Sequence, residues 1–183
     1  ADHVHIDNVA AARTATEHLI AGGRRHVAVI GTQDIPSGQS ARLRLQGAMI
    51  ALAEAGLTAH PSLLRPSDTY TRMAGYTAMQ EILDSGRSVD AVFCFNDSMA
   101  IGALRALRER RVRVPDDVAV VGFDDIEEGQ FSAPPLTTVR PDKDAIARIA
   151  VERLVARIGG ENGPGQEIEV GFDLVVRETT GEV

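Results

Sequence analysis

Short apolar runs rich in β-branched residues are the feature of this sequence that most limits its fold. They occupy residues 26–30, 91–95 and 118–121. A strand with one exposed face alternates apolar and polar residues, so continuous runs predict strands that are buried on both faces, as in a parallel sheet. Amphipathic stretches of helical period separate the runs. The sequence therefore predicts an α/β fold, an open parallel sheet with helices on both faces.

The boundaries of the predicted helices agree with this fold. Each of four helices begins near a side chain that can accept hydrogen bonds from the first free N–H groups, and ends at a glycine or before a proline. The predicted caps and ends are Asp7 or Asn8 with Gly22, Ser40 with Gly56, Thr69 or Thr71 with Gly86, and Asp97 or Ser98 with Pro115. With a shorter strand at 62–65, the predicted order is α-β-α-β-α-β-α-β.

The pattern changes in the last third of the chain. A β-rich piece at 136–139 leads to a fifth helix at 142–158, whose apolar face is unusually wide. A glycine-rich turn follows at 159–165. The alternating segment 168–176 predicts an antiparallel or edge strand pair.

Composition limits the class of protein. The chain has 183 residues, of which 44% are hydrophobic, and this indicates one ordinary globular domain, or a domain with part of another. Its net charge of -7 makes it a poor ligand for nucleic-acid phosphates by itself. The single cysteine, Cys94, excludes an intramolecular disulfide and is expected to be buried in its apolar run. No membrane span and no signal peptide is recognisable, which favours a cytoplasmic protein without membrane contact.

Polar residues collect where ligands bind in open parallel sheets, beyond the carboxyl ends of the strands. Ser40 and Arg44 lie in the helix after the first long strand, Tyr70 opens the next helix, and Asn96 and Asp124 follow later strands. These groups suit a neutral polyol, because carboxylates accept from hydroxyls, amides donate and accept, and a guanidinium donates two parallel bonds. An aromatic ring also covers the apolar face of a pyranose. Other polar residues at this edge are Thr32, Gln33, Asp34, Arg42, Asp97 and Asp125.

Each of these residues also has a purely structural alternative. Asp97 and Asp124 can cap helices, and Arg44 can pair with a surface carboxylate. Asp124 and Asp125 resemble a catalytic carboxylate pair, but neighbouring residues leaving a strand point to opposite sides.

Motifs of known enzyme classes are missing from the sequence. It contains no G-x-x-x-x-G-K-[ST] loop, no G-x-G-x-x-G fingerprint and no G-x-S-x-G elbow. His3 and His5 are two residues apart, but a metal site there is expected to lack further ligands. We therefore predict no catalytic residue, no metal and no cofactor.

Five segments carry a further signal through their order and spacing. They are residues 18–31, 40–47, 96–103, 114–125 and 134–140, and the last reads Pro-Pro-Leu-Thr-Thr-Val-Arg. In these segments the chain resembles the effector-binding core of the lactose repressor (LacI/GalR) family of bacterial transcription regulators. The resemblance extends over essentially the whole chain.

The resemblance implies a periplasmic-binding-protein-like core of type I, in which two α/β subdomains enclose an effector cleft. It also implies a helix-turn-helix headpiece through which a homodimer binds operator DNA. By position, Arg44 is similar to the effector-contacting arginine of the family, and Asn96 and Asp124 match its polar pair. Ser40 matches a contact at a helix start, and Tyr70 lies where an aromatic residue stacks on the ligand.

Two features depart from the family pattern. Pro141 stands where some sugar-responsive members have a glutamine that reaches the ligand. The chain also begins too late to include the headpiece and most of the first subdomain, so we expect a fragment that does not bind operator DNA alone. Residues 1–140 and 166–183 are expected to form the C-terminal effector-binding subdomain, and 141–165 a crossover helix and turn that belong to the N-terminal subdomain.

These observations predict the effector-sensing domain of a LacI-type regulator that binds a small molecule, expected to be a sugar, and thereby alters operator binding. Purines are another effector class that the same side chains suit. A subunit contact is expected at Ile126 and Phe131, which alternatively pack locally. A periplasmic-type sugar-binding protein of a transport system shares the fold and is the main alternative. An α/β enzyme is a third, without a nucleophile–base pair or phosphate loop to support it.

Overall fold

The computed structural model describes residues 1–33 and 38–181, which form two sheets. The strands are β1 (His3–Ile6), β2 (Val27–Thr32), β3 (Leu64–Pro66), β4 (Ala91–Cys94), β5 (Ala119–Phe123), β6 (Thr137–Pro141), β7 (Glu167–Val170) and β8 (Phe172–Val175). Six of them form one sheet in the order β3-β2-β4-β5-β6-β8, and β1 pairs with β7 in a separate parallel sheet. In the large sheet every pair is parallel except β6 with β8. The predicted α/β fold is confirmed.

Six α-helices lie in the described residues, and four of them cover both faces of the large sheet. The six helices are α1 (Asn8–Ala21), α2 (Gln39–Glu54), α3 (Arg72–Asp84), α4 (Asp97–Glu109), α5 (Glu127–Gln130) and α6 (Lys143–Ile158). α1 packs on α2, and α3 packs on α4. Crossovers between parallel strands are right-handed, and the chain moves from β2 to β3 in one direction but from β3 to β4 in the other, so the two pairs lie on opposite faces. Every residue of β4 and β5 is buried between the layers, which is why their sequences are continuously apolar. None of the helices in the described residues is long and apolar enough to cross a membrane.

The ends of the chain differ from the predicted order. β1 precedes α1 and was not predicted, because its four residues contain two histidines and show no long apolar run. The segment 168–176 was predicted to be a strand pair, but its two strands do not pair with each other. β7 joins β1, whereas β8 becomes the antiparallel edge strand of the large sheet. The predicted fifth helix is present as α6, and its first N–H groups are capped by Asp142.

Two of the four predicted helix caps are wrong. Asp7 caps α1 and Thr71 caps α3, as predicted. The cap of α4 is Asn96 and not Asp97 or Ser98, and α2 begins after Gly38 with no side-chain cap, so that Ser40 lies inside its first turn.

Two glycines allow α3 and α4 to pack with their backbones in close approach. A Cβ atom on Gly102 would lie 1.9 Å from the carbonyl oxygen of Arg72, and one on Gly75 would lie 2.1 Å from that of Met99. Backbone atoms cannot retreat from such a contact without moving a whole helix, so an added methyl group separates the two helices.

Gly102→Ala is therefore expected to destabilise the chain by about 1–3 kcal/mol, the usual cost of overpacking. Urea denaturation followed by circular dichroism measures this change as a lower transition midpoint. Gly171→Ala is the matched control, because its added Cβ has no neighbour within 4 Å. Equal midpoints for Gly102→Ala and the unmodified chain would show that the close contact costs no more than the roughly 1 kcal/mol that alanine gains over glycine inside a helix.

Candidate functional site

Arg44 is the centre of the candidate site, at the carboxyl edge of the large sheet. Its Nε donates to Asn8 Oδ1 at the start of α1 (2.8 Å), and its Nη1 donates to the carbonyl oxygen of Phe95, directly after β4. The guanidinium carbon lies 3.5 Å from the centroid of the Phe123 ring, at the end of β5. Hydrogen bonds and a cation–π contact therefore fix this side chain from three separate elements.

The fixed guanidinium retains donors for a ligand. Burial lowers the pKa of Arg44, and the charge of nearby Asp124 opposes this shift. The side chain nevertheless remains a cation, because the guanidinium of arginine does not deprotonate in proteins. Nη2 makes no hydrogen bond to any residue that the structure describes. Its N–H groups are available to oxygen atoms of a bound molecule.

Asp124 supplies the complementary acceptor. It follows β5 with a left-handed φ of 109°, and its backbone N–H donates to the carbonyl oxygen of Val139 (2.8 Å). Burial raises the pKa of its carboxyl group, and the cations of Arg44 and Lys143 oppose the shift. Among the described residues no group donates a hydrogen bond to this carboxylate. A half-buried carboxylate without donors beside a fixed cation suits a ligand with neighbouring hydroxyl groups.

Asp125, the next residue, serves the scaffold. Its carboxylate accepts from Arg177 Nη2 (2.6 Å), and its carbonyl oxygen accepts from Lys143 Nζ (3.0 Å). The two neighbouring carboxylates therefore have different surroundings, because Asp125 pairs with Arg177 whereas Asp124 lies near Arg44.

Asn96 and Tyr70 lie at the same edge, but the fold already uses most of their polar atoms. Asn96 Oδ1 accepts from the backbone N–H of Met99 (2.9 Å), and Nδ2 donates to the carbonyl oxygen of Tyr70 (3.0 Å). The Tyr70 hydroxyl donates to the carbonyl oxygen of Gly31 (3.2 Å), and burial raises its pKa. The second N–H of Asn96 remains for a ligand, and stacking by Tyr70 stays a prediction.

The other residues predicted at this edge make no hydrogen bond to Arg44 in the part of the chain that the structure describes. Ser40 is exposed on the first turn of α2, one helical turn before Arg44, and its contact with a ligand stays a prediction. Gln33 donates to the carbonyl oxygen of Ser67 (2.9 Å) and so closes a loop. Asp34 lies outside the described residues.

Asp97 has a role that its sequence position did not reveal. It is the first residue of α4 and is 0% exposed. Its carboxylate accepts from Thr138 Oγ1 (2.6 Å) and from the backbone N–H of Ile126 (2.9 Å). Burial raises its pKa to about 6, although both hydrogen bonds oppose the shift. Asp97 thus ties α4 to β6 and to the turn that carries Asp124.

Asn8 and Phe123 were also missed as parts of the site. Asp7 alone caps α1, accepting from the N–H groups of Val9 and Ala10, and this leaves Asn8 free to hold Arg44. The sequence offered one signal for Asn8, since Asp7 alone is enough to cap the helix and a second polar residue beside it is then free for another role. The signal for Phe123 was its position as an aromatic residue directly before Asp124.

Two residues outside this edge have structural roles, and the predicted burial of Cys94 is confirmed. Cys94 is fully buried, and burial raises the pKa of its thiol. His18 Nε2 lies 2.9 Å from the hydroxyl oxygen of Thr180 and so connects α1 to the last turn of the described chain.

The expectation that His3 and His5 lack further metal ligands is wrong. Pairing of β1 with β7 brings Glu167 beside them, and one potential ligand atom from each residue lies within 4.8 Å of the others. The two histidines also stack, with ring centroids 4.9 Å apart.

Comparison with known proteins shows that this chain is similar to transcriptional regulators. Residues 16–180 match the family model of the periplasmic binding protein-like domain. The chain is 40% identical over 178 residues to the HTH-type transcriptional regulator CelR of Thermobifida fusca, and 36% identical over 179 residues to the HTH-type transcriptional repressor CytR of Escherichia coli. Each match covers 97% of this chain and 51% of the relative, so the chain spans about half the length of these curated relatives.

Solved structures show the same likeness. A LacI-family protein from Sanguibacter keddieii superposes with a TM-score of 0.93 at 45% identity, over 99% of this chain and 69% of that one. A complex of the regulator CelR with cellobiose superposes with a TM-score of 0.90 at 39% identity, over 98% of this chain and 54% of that one.

Proposed function

Because the chain belongs to the periplasmic-binding-protein-like domains of LacI-family transcriptional regulators, we propose that it senses a sugar at Arg44 and Asp124 and thereby controls operator binding. The relatives are regulators and repressors, so the chain is not an enzyme, as its sequence predicts. A regulator of this kind acts where the DNA lies, which favours the cytoplasm.

The observation that carries the proposal is the unmatched pair of donors and acceptors at the sheet edge. The Nη2 group of Arg44 and the carboxylate of Asp124 make no hydrogen bonds within the described residues. A ligand that offers a donor and an acceptor together satisfies both groups at once and shields them from water, which strengthens the hydrogen bonds. Adjacent sugar hydroxyls donate to the carboxylate and accept from the guanidinium. The cellobiose complex of CelR supports a sugar over a purine.

We also propose that a second subdomain closes on the sheet edge that carries Arg44 and Asp124. The support is an apolar surface on α6, where the exposed residues are Val151, Leu154, Val155 and Ile158. α6 packs near β1, in the small sheet that is separate from the effector edge. We place residues 141–165 in the other subdomain and extend this assignment to β1 and β7, because they pair with each other and not with the large sheet.

Signal transmission then follows from the difference between two states. A sugar that contacts both subdomains binds their closed arrangement more tightly and shifts the population toward it. In a homodimer whose contact includes Ile126 and Phe131, this closure changes the spacing of the headpieces on operator DNA. Phe131 is 80% exposed, which supports its place at such a contact.

The test uses a polypeptide that joins this chain to the proposed first subdomain and headpiece. Isothermal titration with cellobiose, other di- and monosaccharides and purine nucleosides measures effector binding, and fluorescence anisotropy of labelled operator measures DNA binding. We expect one saccharide to bind and to change operator affinity. Asp124→Asn is expected to lower the affinity for that saccharide by about tenfold to 100-fold, because hydrogen bonds to the charged acceptor are lost.

The matched control is Asp116→Asn, which changes an exposed carboxylate that forms an ion pair with Arg113. It is expected to bind the saccharide like the unmodified protein. Binding of a purine in place of any saccharide would refute the sugar class. Saccharide binding that leaves operator affinity unchanged would refute the regulatory role and favour a solute-binding protein.

A further inference from the structure

The small sheet brings three metal-ligating side chains to one exposed face. In the parallel register His3 lies opposite Glu167 and His5 lies opposite Glu169, so all four side chains project from the same face. His3 Nδ1 lies 2.8 Å from Glu167 Oε2, and His5 Nε2 lies 3.5 Å from the same oxygen. Among the residues that the structure describes, this is the group of three or more such ligands close enough to hold one ion.

The hydrogen bonding of His5 leaves a lone pair directed at this group. Its Nδ1 lies 3.2 Å from the carbonyl oxygen of Ile6, which can only accept, so Nδ1 carries the proton. In the neutral ring the lone pair is then on Nε2, the atom nearest Glu167. A backbone carbonyl that accepts from the other ring nitrogen is the usual second contact of a metal-binding histidine, and it fixes the orientation of the ring.

Asp2, the residue before His3, holds the two strands that carry the three ligands in register. Asp2 Oδ1 accepts from Arg157 Nη2 (2.6 Å) and from the backbone N–H of Gln166 (2.9 Å), while the N–H of His3 donates to the carbonyl oxygen of Gln166 (2.8 Å). The side chain of Asp2 is only 8% exposed, so this anchor is shielded from water. A ligand set on two strands fixed in this way needs little ordering when an ion binds.

We infer that His3, His5 and Glu167 form a divalent-metal site that binds Zn²⁺. Imidazole nitrogens and a carboxylate oxygen are common zinc ligands, and three protein ligands with water in the fourth position is a usual open zinc site. Ligands about 2.0–2.1 Å from a tetrahedral ion are about 3.3 Å apart, so the 3.5 Å separation of His5 Nε2 from Glu167 Oε2 requires almost no movement. The His3 side chain is 56% exposed and that of Glu167 72% exposed, which leaves the face open to an ion.

Zinc bound here connects two strands that are far apart in the sequence. His3 and Glu167 are 164 residues apart, so the ion holds the beginning of the described chain to a strand near its end. It is expected to stabilise the folded chain, because the unfolded chain does not hold the three ligands together.

The experiment is an isothermal titration of the metal-free 183-residue chain with ZnCl₂. We expect one zinc ion to bind per chain. In both His5→Gln and Glu167→Gln we expect the dissociation constant for zinc to be at least tenfold larger. The matched control is His26→Gln, which removes an exposed histidine outside the group and is expected to bind like the unmodified chain. Thermal denaturation gives a second readout, since zinc should raise the melting temperature of the unmodified chain and of His26→Gln but not of His5→Gln.

Two outcomes would overturn the inference. Absence of saturable zinc binding would reduce the three residues to a surface ion pair of little consequence. Zinc binding with the same affinity in His5→Gln and Glu167→Gln would place the ion elsewhere on the chain. Comparable melting temperatures of all variants without zinc would verify that the substitutions leave the fold intact.

Discussion

Replacing Arg44 with alanine is expected to weaken effector binding by about 100-fold or more. Each hydrogen bond from a charged donor to the ligand contributes about 1.5–3 kcal/mol, and each 1.4 kcal/mol is about a tenfold change in affinity. Arg44 would donate directly to the ligand, and it also balances the charge of Asp124. Its loss therefore removes ligand donors and leaves the half-buried carboxylate with Lys143 as the remaining nearby cation.

Arg44→Lys separates the geometry of the guanidinium from its charge. Lysine keeps the cation but lacks the planar fork that reaches Asn8, the Phe95 carbonyl and the ligand together. We expect its affinity to lie between those of the unmodified protein and Arg44→Ala. Isothermal titration of the longer polypeptide with its saccharide gives all three values.

The control for these variants is Arg87→Ala, which removes an exposed arginine from the loop after α3. It is expected to retain full affinity. If Arg44→Ala binds as tightly as Arg87→Ala while keeping its melting temperature, Arg44 does not contribute to effector binding, and the site must lie elsewhere.

The large sheet was predictable because burial on both faces leaves a direct trace in the sequence. β4 and β5 lie inside three layers, and only apolar residues are tolerated there. The small sheet left no such trace. Each of its strands has an exposed face with charged or imidazole side chains, and its pairing joins residues about as far apart as the chain allows. Pairing of this kind depends on the whole fold and not on local pattern.

The position of the candidate site residues at one edge of the sheet was predictable, because the carboxyl ends of parallel strands meet there. Asn96 and Asp124 follow neighbouring strands, and Arg44 reaches them from the helix beside β2. The availability of each polar atom was not predictable. The side-chain oxygen of Asn96 caps α4, whereas the carboxylate of Asp124 accepts no hydrogen bond from the described residues. The sequence does not distinguish the two residues, because both directly follow a buried strand segment.

Asp97→Ala is expected to lower the free energy of unfolding by about 2–4 kcal/mol at pH 5. The carboxyl group accepts from Thr138 Oγ1 and from the N–H of Ile126, and both donors lose their partner in the variant. Each such bond contributes about 1–3 kcal/mol when its loss leaves a buried group unsatisfied. The turn with Asp124 loses its tether to α4, so effector affinity is expected to fall as well.

The cost of this substitution should shrink as the pH rises. The pKa of Asp97 is about 6 in the folded chain, above the value of 3.8 expected without the fold. Between these two values the folded chain keeps a proton that the unfolded chain has released, so this group's contribution to stability falls as the pH increases. Alanine does not titrate. The difference in stability between the unmodified chain and Asp97→Ala should therefore decrease by on the order of 1–3 kcal/mol from pH 4 to pH 7.

Urea denaturation of both proteins across this pH range measures the difference directly, and carboxylates common to both cancel. Asp117→Asn is the control of opposite sign, because hydrogen bonds from Arg113 lower the pKa of Asp117 to about 2. The stability that Asp117 contributes is present above its unfolded pKa and is lost as the pH falls, so the corresponding difference should increase with pH. A difference for Asp97→Ala that is constant or increasing with pH would show that Asp97 is ionised throughout. The hydrogen bonds from Thr138 and Ile126 would then outweigh the burial of its charge.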